Sequence, residues 1–228
     1  MKKSLATAAL TATAALFVIP AHAEQIYWTQ WDTFAYGSPG SASGVMHLPG
    51  GDVTVTYAGE IVNRSDPGDW SQYPGTYTSA AVDNAPTPSN VSIQLVGGDA
   101  AILNTITFST SVVNPVMAIQ SLGQPNVLAV YDFGNIGFNL LSQGSGHWNL
   151  PCNNCLTQVG NALHGYEGNG TIQFMGTFSS LSWTVAPGED YHMFTIGAPV
   201  PEPEAWALLL AGLGIVGGIA RRRRTLRG

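Results

Sequence analysis

The sequence predicts an all-β protein with a single β-sandwich domain of jelly-roll type, and three observations support this prediction. Residues 24–199 contain about nine short segments that alternate apolar and polar residues or are rich in β-branched residues. Turn-forming sequences rich in Gly, Pro, Asn and Asp separate these segments. The same region has no long stretch of the 3.6-residue periodicity that is typical of amphipathic helices. Many short strands joined by tight turns are typical of sandwiches and jelly rolls.

The predicted strands follow one another closely in the second half of this domain. Ile172 and Phe174 alternate with polar residues, so we expect both side chains to point into the core, together with Trp183 of the next strand. Pro86 and Pro88 lack a backbone donor and therefore predict a loop before the denser sheet region. The predicted strands are residues 53–57, 91–96, 102–109, 116–122, 127–133, 136–141, 171–177, 181–185 and 191–196.

The beginning of the chain has the features of a secretory signal peptide. Lys2 and Lys3 precede an apolar stretch that runs to Ile19, and Ala21 and Ala23 form a small-residue cleavage site. Residues 1–23 are therefore predicted to be removed, which leaves Glu24 as the first mature residue. The alternative is an uncleaved amino-terminal anchor.

The last 29 residues have the features of a membrane-targeting segment. An uncharged run of 16 residues, 205–220, follows the acidic proline segment that begins at Val200. As a helix this run would be about 24 Å long, somewhat short of a bilayer core of about 30 Å. The basic residues that follow at 221–228 stay on the cytoplasmic side, because arginine is costly to move across a membrane. We therefore predict one transmembrane helix with residues 24–199 outside the cytoplasm.

These parts resemble the PEP-CTERM sorting signal of Gram-negative bacteria. The resemblance rests on a Val-Pro-Glu-Pro motif, a Gly- and Leu-rich helix and a terminal Arg cluster; the matching residues are Val200, Pro201, Glu202 and Pro203, and then Arg221, Arg222, Arg223 and Arg224. It implies processing near the Pro-Glu-Pro element by an exosortase, a membrane protease, in bacteria that secrete exopolysaccharide. The short β-type sequence segments between residues 106 and 197 also resemble, in their order, an ectodomain found in many such proteins. This resemblance implies a location at the cell surface. The alternative is an ordinary membrane anchor.

The charge of the central domain excludes several classes of function. Residues 24–199 contain 12 acidic side chains and one basic side chain, Arg64. Such a domain repels nucleic acid and lacks the basic clusters that bind phosphate. Cations and neutral glycans are compatible ligands. Since no cofactor-binding motif is present, the only cofactor considered is a structural calcium ion.

Two groups of residues are candidates for structural chemistry. Cys152 and Cys155 are predicted to form a disulfide in an oxidising compartment; a redox pair and a zinc site with His147 and His164 are the alternatives. Asp66 and Asp69 flank a Pro-Gly turn and are candidates for calcium, as are Asp132 with Glu167 or with Glu189 and Asp190; solvated acids are the alternative.

The aromatic residues suggest a second function. Trp28, Trp31 and Trp70 are candidates for stacking on sugar rings, and the alternative is that they pack in the core. Asp132 and Glu167 are the only carboxylates we consider for a glycan hydrolase, and no known catalytic motif is present. We therefore expect a non-catalytic ectodomain that is exported, anchored in the inner membrane with its carboxyl terminus in the cytoplasm, and then moved to the cell surface or released. Its expected partners are an exosortase, the inner membrane and extracellular polysaccharide. A lectin-like module is the alternative.

Overall fold

The computed structural model describes residues 23–65, 70, 74–99, 101–145, 155–189, 191–200 and 212–216. Within these residues the regular structure is mainly β, with a short 3₁₀ turn at Pro74–Thr76 and a helical segment at 212–216. The strands are β1 Ile26–Trp28, β2 Gln30–Ala35, β3 Gly37–Leu48, β4 Gly51–Ile61, β5 Asn63–Arg64, β6 Ile93–Leu95, β7 Asn104–Val113, β8 Val116–Leu122, β9 Ala129–Asp132, β10 Phe138–Ser145, β11 Leu156–Val159, β12 Ala162–Gly165, β13 Gly168–Phe174, β14 Thr177–Val185 and β15 His192–Pro199.

The strands form two antiparallel sheets. The first sheet has the order β10-β13-β8-β15-β6-β5, and β1 pairs with the last part of β15. The second sheet has the order β11-β12-β9-β14-β7-β4-β3-β2. From β6 to β11, and again from β12 to β15, consecutive strands alternate between the two sheets, and this alternation is typical of double-sheet jelly rolls.

The main core contains inward-facing side chains of both sheets. Trp183 of β14 lies at its centre, with its ring centroid 5.0 Å from that of Phe194, 5.9 Å from that of Tyr131 and 6.0 Å from that of Tyr57. The prediction that Ile172, Phe174 and Trp183 point inward is confirmed, since all three are buried. Edge-to-face contacts such as the one between Trp183 and Phe194 favour one arrangement of the rings.

A second hydrophobic cluster covers the outer face of the first sheet. Val116 and Ala118 of β8 pack there against Ile26 and against Trp70 and Tyr77, which precede β6 in the chain. The alternate residues Met117 and Ile119 face the main core. Every residue of β8 is therefore buried, which explains why this strand is a continuous apolar run rather than an alternating one.

All nine predicted strands overlap observed ones, namely β4, β6 to β10 and β13 to β15. The sequence did not predict β1, β2, β3, β5, β11 or β12. β3 is rich in Gly and Ser, a composition typical of loops. Its glycines are needed because neighbouring backbone lies very close: a Cβ on Gly44 would be 2.8 Å from the Cα of Trp31, and one on Gly40 would be 2.6 Å from the carbonyl oxygen of Ala35.

Candidate functional site

The predicted sorting motif follows directly from the last strand of the domain. β15 lies between β8 on one side and β6 and β1 on the other, and its last paired residue is Pro199. The next residue, Val200, is half-buried and opens the motif. Pro201, Glu202 and Pro203 lie outside the described residues. No spacer therefore separates the sheet from the motif.

The first described strand, β1, holds the end of β15 in place. Ile26 is in register with Pro199, and Trp28 with Gly197. Gly197 permits this pairing, because a Cβ there would lie 2.6 Å from Cγ2 of Ile26 and 2.8 Å from Cε3 of Trp28. The side chain of Asn84 fixes the start of β1: its Oδ1 accepts from the backbone N–H of Ile26 at 2.6 Å, and its Nδ2 donates to the carbonyl of the same residue at 2.9 Å.

Two turns lie at the same end of the molecule as Pro199, and we call this end of the domain, formed by residues 113–115, 175–176 and Pro199, the tether end. The β7–β8 and β13–β14 turns are hydrogen bonded to each other. The N–H of Asn114 donates to the carbonyl of Gly176 at 2.7 Å, and the N–H of Gly176 donates to Oδ1 of Asn114 at 2.8 Å. Val113 and Met175, on either side of these bonds, are 56% and 53% exposed.

The opposite end, which we call the acidic end, is formed by Glu60, Gly123, Glu167, Glu189 and His192. Oε2 of Glu60 accepts from the backbone N–H of residue 97 at 2.6 Å. Oε1 of Glu189 accepts from the N–H of Gly123 and lies 3.1 Å from Nδ1 of His192. The carboxylates of Glu60 and Glu189 therefore accept hydrogen bonds from backbone N–H groups of neighbouring loops.

His192 is neutral in the fold despite its acidic neighbours. Complete burial lowers its pKa from 6.5 to about 3, and this outweighs the opposing effect of Glu60. The ring of Tyr131 packs edge-on against the imidazole with the centroids 5.3 Å apart. Burial also raises the pKa of Tyr131 well above its ordinary value. Both side chains therefore stay uncharged near neutral pH.

Glu167 belongs to a hydrogen-bonded cluster at the acidic end. Its Oε1 accepts from Oγ of Ser121 at 2.7 Å, and the N–H of Ser121 donates to Oδ1 of Asn169 at 2.7 Å. Ser121 and Glu167 have φ angles of 56° and 62°. These angles lie in the left-handed region, which residues other than Gly, Asn and Asp seldom adopt. The bond between Ser121 and Glu167 and the bond from Ser121 to Asn169 offset the conformational cost of these angles.

The candidate sugar-stacking residues are buried. Trp28, Trp31 and Trp70 are 6%, 5% and 1% exposed. Their indole N–H groups donate to the carbonyl of residue 84, to Oγ1 of Thr195 and to the carbonyl of residue 90. The expectation that these three rings stack on sugar at the surface disagrees with their burial, whereas the alternative, that they fill the interior, agrees with it. The pattern of aromatics alone could not distinguish the two, because it does not reveal which elements cover them.

The two candidate catalytic carboxylates do not face each other. Asp132 is exposed on β9 and accepts from the N–H of Gly134 at 2.8 Å. It borders an open cavity of about 340 Å³ whose lining includes Phe133 and Trp183 but not Glu167. Glu167 is only 2% exposed and is bonded to Ser121. The paired-carboxylate arrangement that a glycan hydrolase needs is not present between these two residues.

Several predicted sites fall partly or wholly outside the described residues. These are Asp66 and Asp69 of the calcium hypothesis, Cys152, His147, Ala21, and the cluster Arg221, Arg222, Arg223 and Arg224. Cys155 is buried at the start of β11. Among the described residues, no group of three or more His, Cys, Asp or Glu side chains is placed to hold a metal ion. The disulfide, the calcium site and the signal-peptide cleavage after Ala23 remain predictions.

The run at residues 205–220 is described only at 212–216, which are helical and exposed. In the part of the chain that the structure describes, no helix is both long and apolar enough to cross a membrane.

The fold and the motif define the class of protein: an all-β domain of two antiparallel sheets whose last strand leads directly into a Pro-Glu-Pro sequence. Comparison with known families identifies that sequence. The family model of the PEP-CTERM protein-sorting motif matches residues 199–224, so the carboxyl-terminal part of this chain carries a PEP-CTERM sorting motif. The motif implies sorting and processing through an exosortase, a membrane protease. No curated protein and no solved structure matches the chain.

Proposed function

We propose that this protein is a non-catalytic component of the cell surface that associates with exopolysaccharide. It is exported through its signal peptide, anchored in the inner membrane by residues 205–220 with the carboxyl terminus in the cytoplasm, and then cut near the Pro-Glu-Pro element and released to the surface. The match of the sorting motif to residues 199–224 is the observation that carries the proposal.

The exposed part of the predicted anchor supports a membrane location. Leu213, Ile215 and Val216 are 61%, 65% and 65% exposed. Apolar side chains exposed together require an apolar partner, and the lipid tails of a bilayer provide one. The arginines that follow would remain at the cytoplasmic headgroups.

Cell fractionation in an exosortase-containing Gram-negative host tests the sorting proposal. The wild-type chain should appear as a membrane-bound precursor and as a shorter product outside the inner membrane. Replacement of Arg221, Arg222, Arg223 and Arg224 by Gln should weaken retention of the precursor, and a Pro201→Ala, Pro203→Ala double variant should accumulate as uncut precursor. A matched control is Pro88→Ala, in a loop far along the chain from the motif, which should be processed normally. Unchanged mass and location in both motif variants would contradict the proposal.

A lectin-like role is the second candidate, and a cavity favours it. An open cavity of about 190 Å³ lies beside β1, with Tyr27, Gln30 and Ser89 among the residues that line it. Aromatic faces mixed with amide and hydroxyl groups, without a Lys or Arg side chain, suit a neutral sugar. Oligosaccharide binding to the purified chain should weaken at least several-fold in Tyr27→Ala and Gln30→Ala but not in Tyr166→Ala, a control tyrosine outside this cavity. Binding that is equal in all three variants would exclude this cavity.

The absence of catalysis is part of the proposal and is tested by turnover. Wild-type protein incubated with exopolysaccharide from its host should release no reducing ends above the background of a buffer control. Release that disappears in Asp132→Asn or Glu167→Gln would instead establish the glycan hydrolase.

We also propose that Cys152 and Cys155 are joined by a disulfide. Two residues separate the cysteines, and the exported domain would meet an oxidising compartment. Thiol titration of the unfolded, unreduced chain should detect no free thiol, and two after reduction. Two thiols before reduction would contradict the disulfide.

A further inference from the structure

We propose that the tether end rests on the lipid surface while the chain is anchored and uncut, and that Val113 and Met175 contact the interfacial region of the bilayer. This inference rests on the proposed function, since it requires the membrane anchor. It adds an orientation of the folded domain that the sorting motif by itself does not specify.

The length of the connection limits how far the tether end can lie from the membrane. The sheet ends at Pro199 and the predicted membrane run begins at Ala205, which leaves the five residues of 200–204 between them. A fully extended chain spans at most about 3.6 Å per residue, so the six steps from Pro199 to Ala205 reach no more than about 22 Å. Pro201 and Pro203 restrict it further, because each fixes its φ angle. The end of the domain nearest to Pro199 is therefore held close to the headgroups.

The turns at this end have the side chains that an interface would accept. Val113 and Met175 are both more than half exposed. The β7–β8 turn lies in a stretch with no charged side chain between Asp99 and Asp132, and the β13–β14 turn lies in one with none between Glu167 and Glu189. Neither turn therefore carries a charge that would have to be dehydrated or that would repel anionic lipid.

Among the described residues, the acidic side chains at this end lie on the flanks of these turns, while Glu202 and Glu204 of the connection lie outside the described residues. Glu24 and Asp83 are on the side of β1, where the N–H of Asp83 donates to the carbonyl of Glu24. Asp52 is on the side of β4 and lies 2.9 Å from Nδ1 of His47. The two turns themselves carry no charged side chain, so the domain can approach lipid with its turns while these acids remain in water.

The turns are fixed to each other, so they present one surface. Besides the two bonds between Asn114 and Gly176, the side chain of Gln173 donates to the carbonyl of Asn114 at 3.4 Å, and the N–H of Phe174 donates to the carbonyl of Pro115 at 3.0 Å. The acidic end also exposes apolar side chains, with Val127 40% and Tyr166 46% exposed, but the β15 register places it at the far end from Pro199. These two residues are therefore matched controls.

The test uses the full, uncut chain reconstituted into phosphatidylcholine vesicles. Val113→Cys, Met175→Cys, Val127→Cys and Tyr166→Cys are each labelled without reduction with an environment-sensitive fluorophore, and the wild-type chain reports the background from native cysteines. Lipids that carry a nitroxide near the headgroup should quench the labels at 113 and 175 several-fold more than those at 127 and 166. Hydrogen exchange of the unlabelled wild-type chain provides a second readout. Amides of 110–116 and 173–178 should exchange more slowly in vesicles than in detergent, and those of 123–128 should not change.

The outcomes separate this inference from the proposed function. Equal quenching at all four positions, or unchanged exchange in both turns, would overturn the inference, while sedimentation of the chain with the vesicles would leave the anchor standing. A chain that stays in the supernatant would overturn the anchor and the inference together.

Discussion

The two ends of this domain are stabilised in different ways. At the tether end, two turns without charged side chains are joined through Asn114 and Gly176, and apolar side chains are exposed. At the acidic end, carboxylates are bonded inside the fold to backbone N–H groups and to Ser121, and an imidazole is completely buried. Both ends are closed by turns between the same two sheets, so the difference lies in the side chains.

This difference predicts which end makes the stability of the domain depend on pH. Burying an ionisable group makes folding depend on its protonation, because the folded and unfolded chains bind protons with different affinities. Bonds between backbone groups and an asparagine side chain involve no titration near neutral pH. Interactions at the acidic end should therefore contribute less to the free energy of unfolding in acid. The contribution of the tether end should not change with pH.

The largest expected effect is the acid sensitivity caused by His192. Its folded pKa is about 3, below the ordinary 6.5. As the pH falls below about 6.5 the unfolded imidazole takes up a proton, but the folded one does not until about pH 3. Neutral His192 therefore makes its full contribution to the free energy of unfolding above pH 6.5. This contribution is lost progressively down to pH 3, by up to roughly 5 kcal/mol. Urea unfolding between pH 7 and pH 5 measures the part that precedes most carboxylate titration.

Two histidine variants isolate this effect. His192→Gln should flatten the pH dependence between pH 7 and pH 5, because no group in that position then titrates. His47→Gln, at an exposed histidine beside Asp52, should leave the wild-type slope in place. If the slope of unfolding free energy against pH is the same in His192→Gln as in the wild type, a group other than His192 causes the pH dependence. The burial of His192 would then not explain the acid sensitivity.

The fold class could be predicted from the sequence because strand alternation and turn signals are local. β8 was predicted with the same bounds, residues 116–122, since a continuous apolar run between turn residues has few other interpretations. β3 was missed because its Gly and Ser residues are needed for contacts with chain that is adjacent only after folding, such as that of Gly44 with Trp31. Tertiary packing, not local preference, makes this segment a strand.

The next expected effect concerns the pairing of β1 with β15 at the tether end. Gly197→Ala should destabilise the domain by about 3 kcal/mol, because the new methyl group would overlap the side chains of Ile26 and Trp28. Gly137→Ala is the matched control: the nearest atom to its Cβ is 3.9 Å away, so its unfolding midpoint should not change measurably. Thermal unfolding of both variants provides the comparison. Equal stability of the two would mean that β1 does not hold the end of β15.

The sorting motif could be predicted from the sequence because it is a linear signal. Its relation to the fold could not, since the pairing of Ile26 with Pro199 joins residues from opposite ends of the domain. The cluster around Ser121 and Glu167 was also missed. Its only sequence signal is a Glu between apolar and glycine-rich segments, and nothing local shows that this Glu is buried.

A smaller effect is expected at Ser121, at the acidic end. Ser121→Ala removes the donor to Oε1 of Glu167 and leaves a buried carboxyl oxygen without that bond, which should cost about 2 kcal/mol. Ser182→Ala is a suitable control, because the bond of its hydroxyl to Thr105 is only partly buried and its loss should cost less than half as much. Urea midpoints at pH 7 measure both. A larger loss in the control would show that burial at Glu167 does not set the cost.

The smallest expected effect tests whether the tether end is stabilised by its backbone geometry. Asn114 has a φ angle of 49°, and its Oδ1 accepts from the N–H of Gly176. Asn114→Ala loses this exposed bond and places an alanine in the left-handed region, so it should cost about 1 kcal/mol. Asn114→Gly loses the same bond but adopts that angle freely, so its free energy of unfolding should stay within about 0.5 kcal/mol of the wild type. Both differences should be the same at pH 7 and pH 5, since nothing in this turn titrates. Equal losses in the two variants would assign the stability to the side-chain bond instead, and a loss that grows in acid would remove the distinction between the two ends.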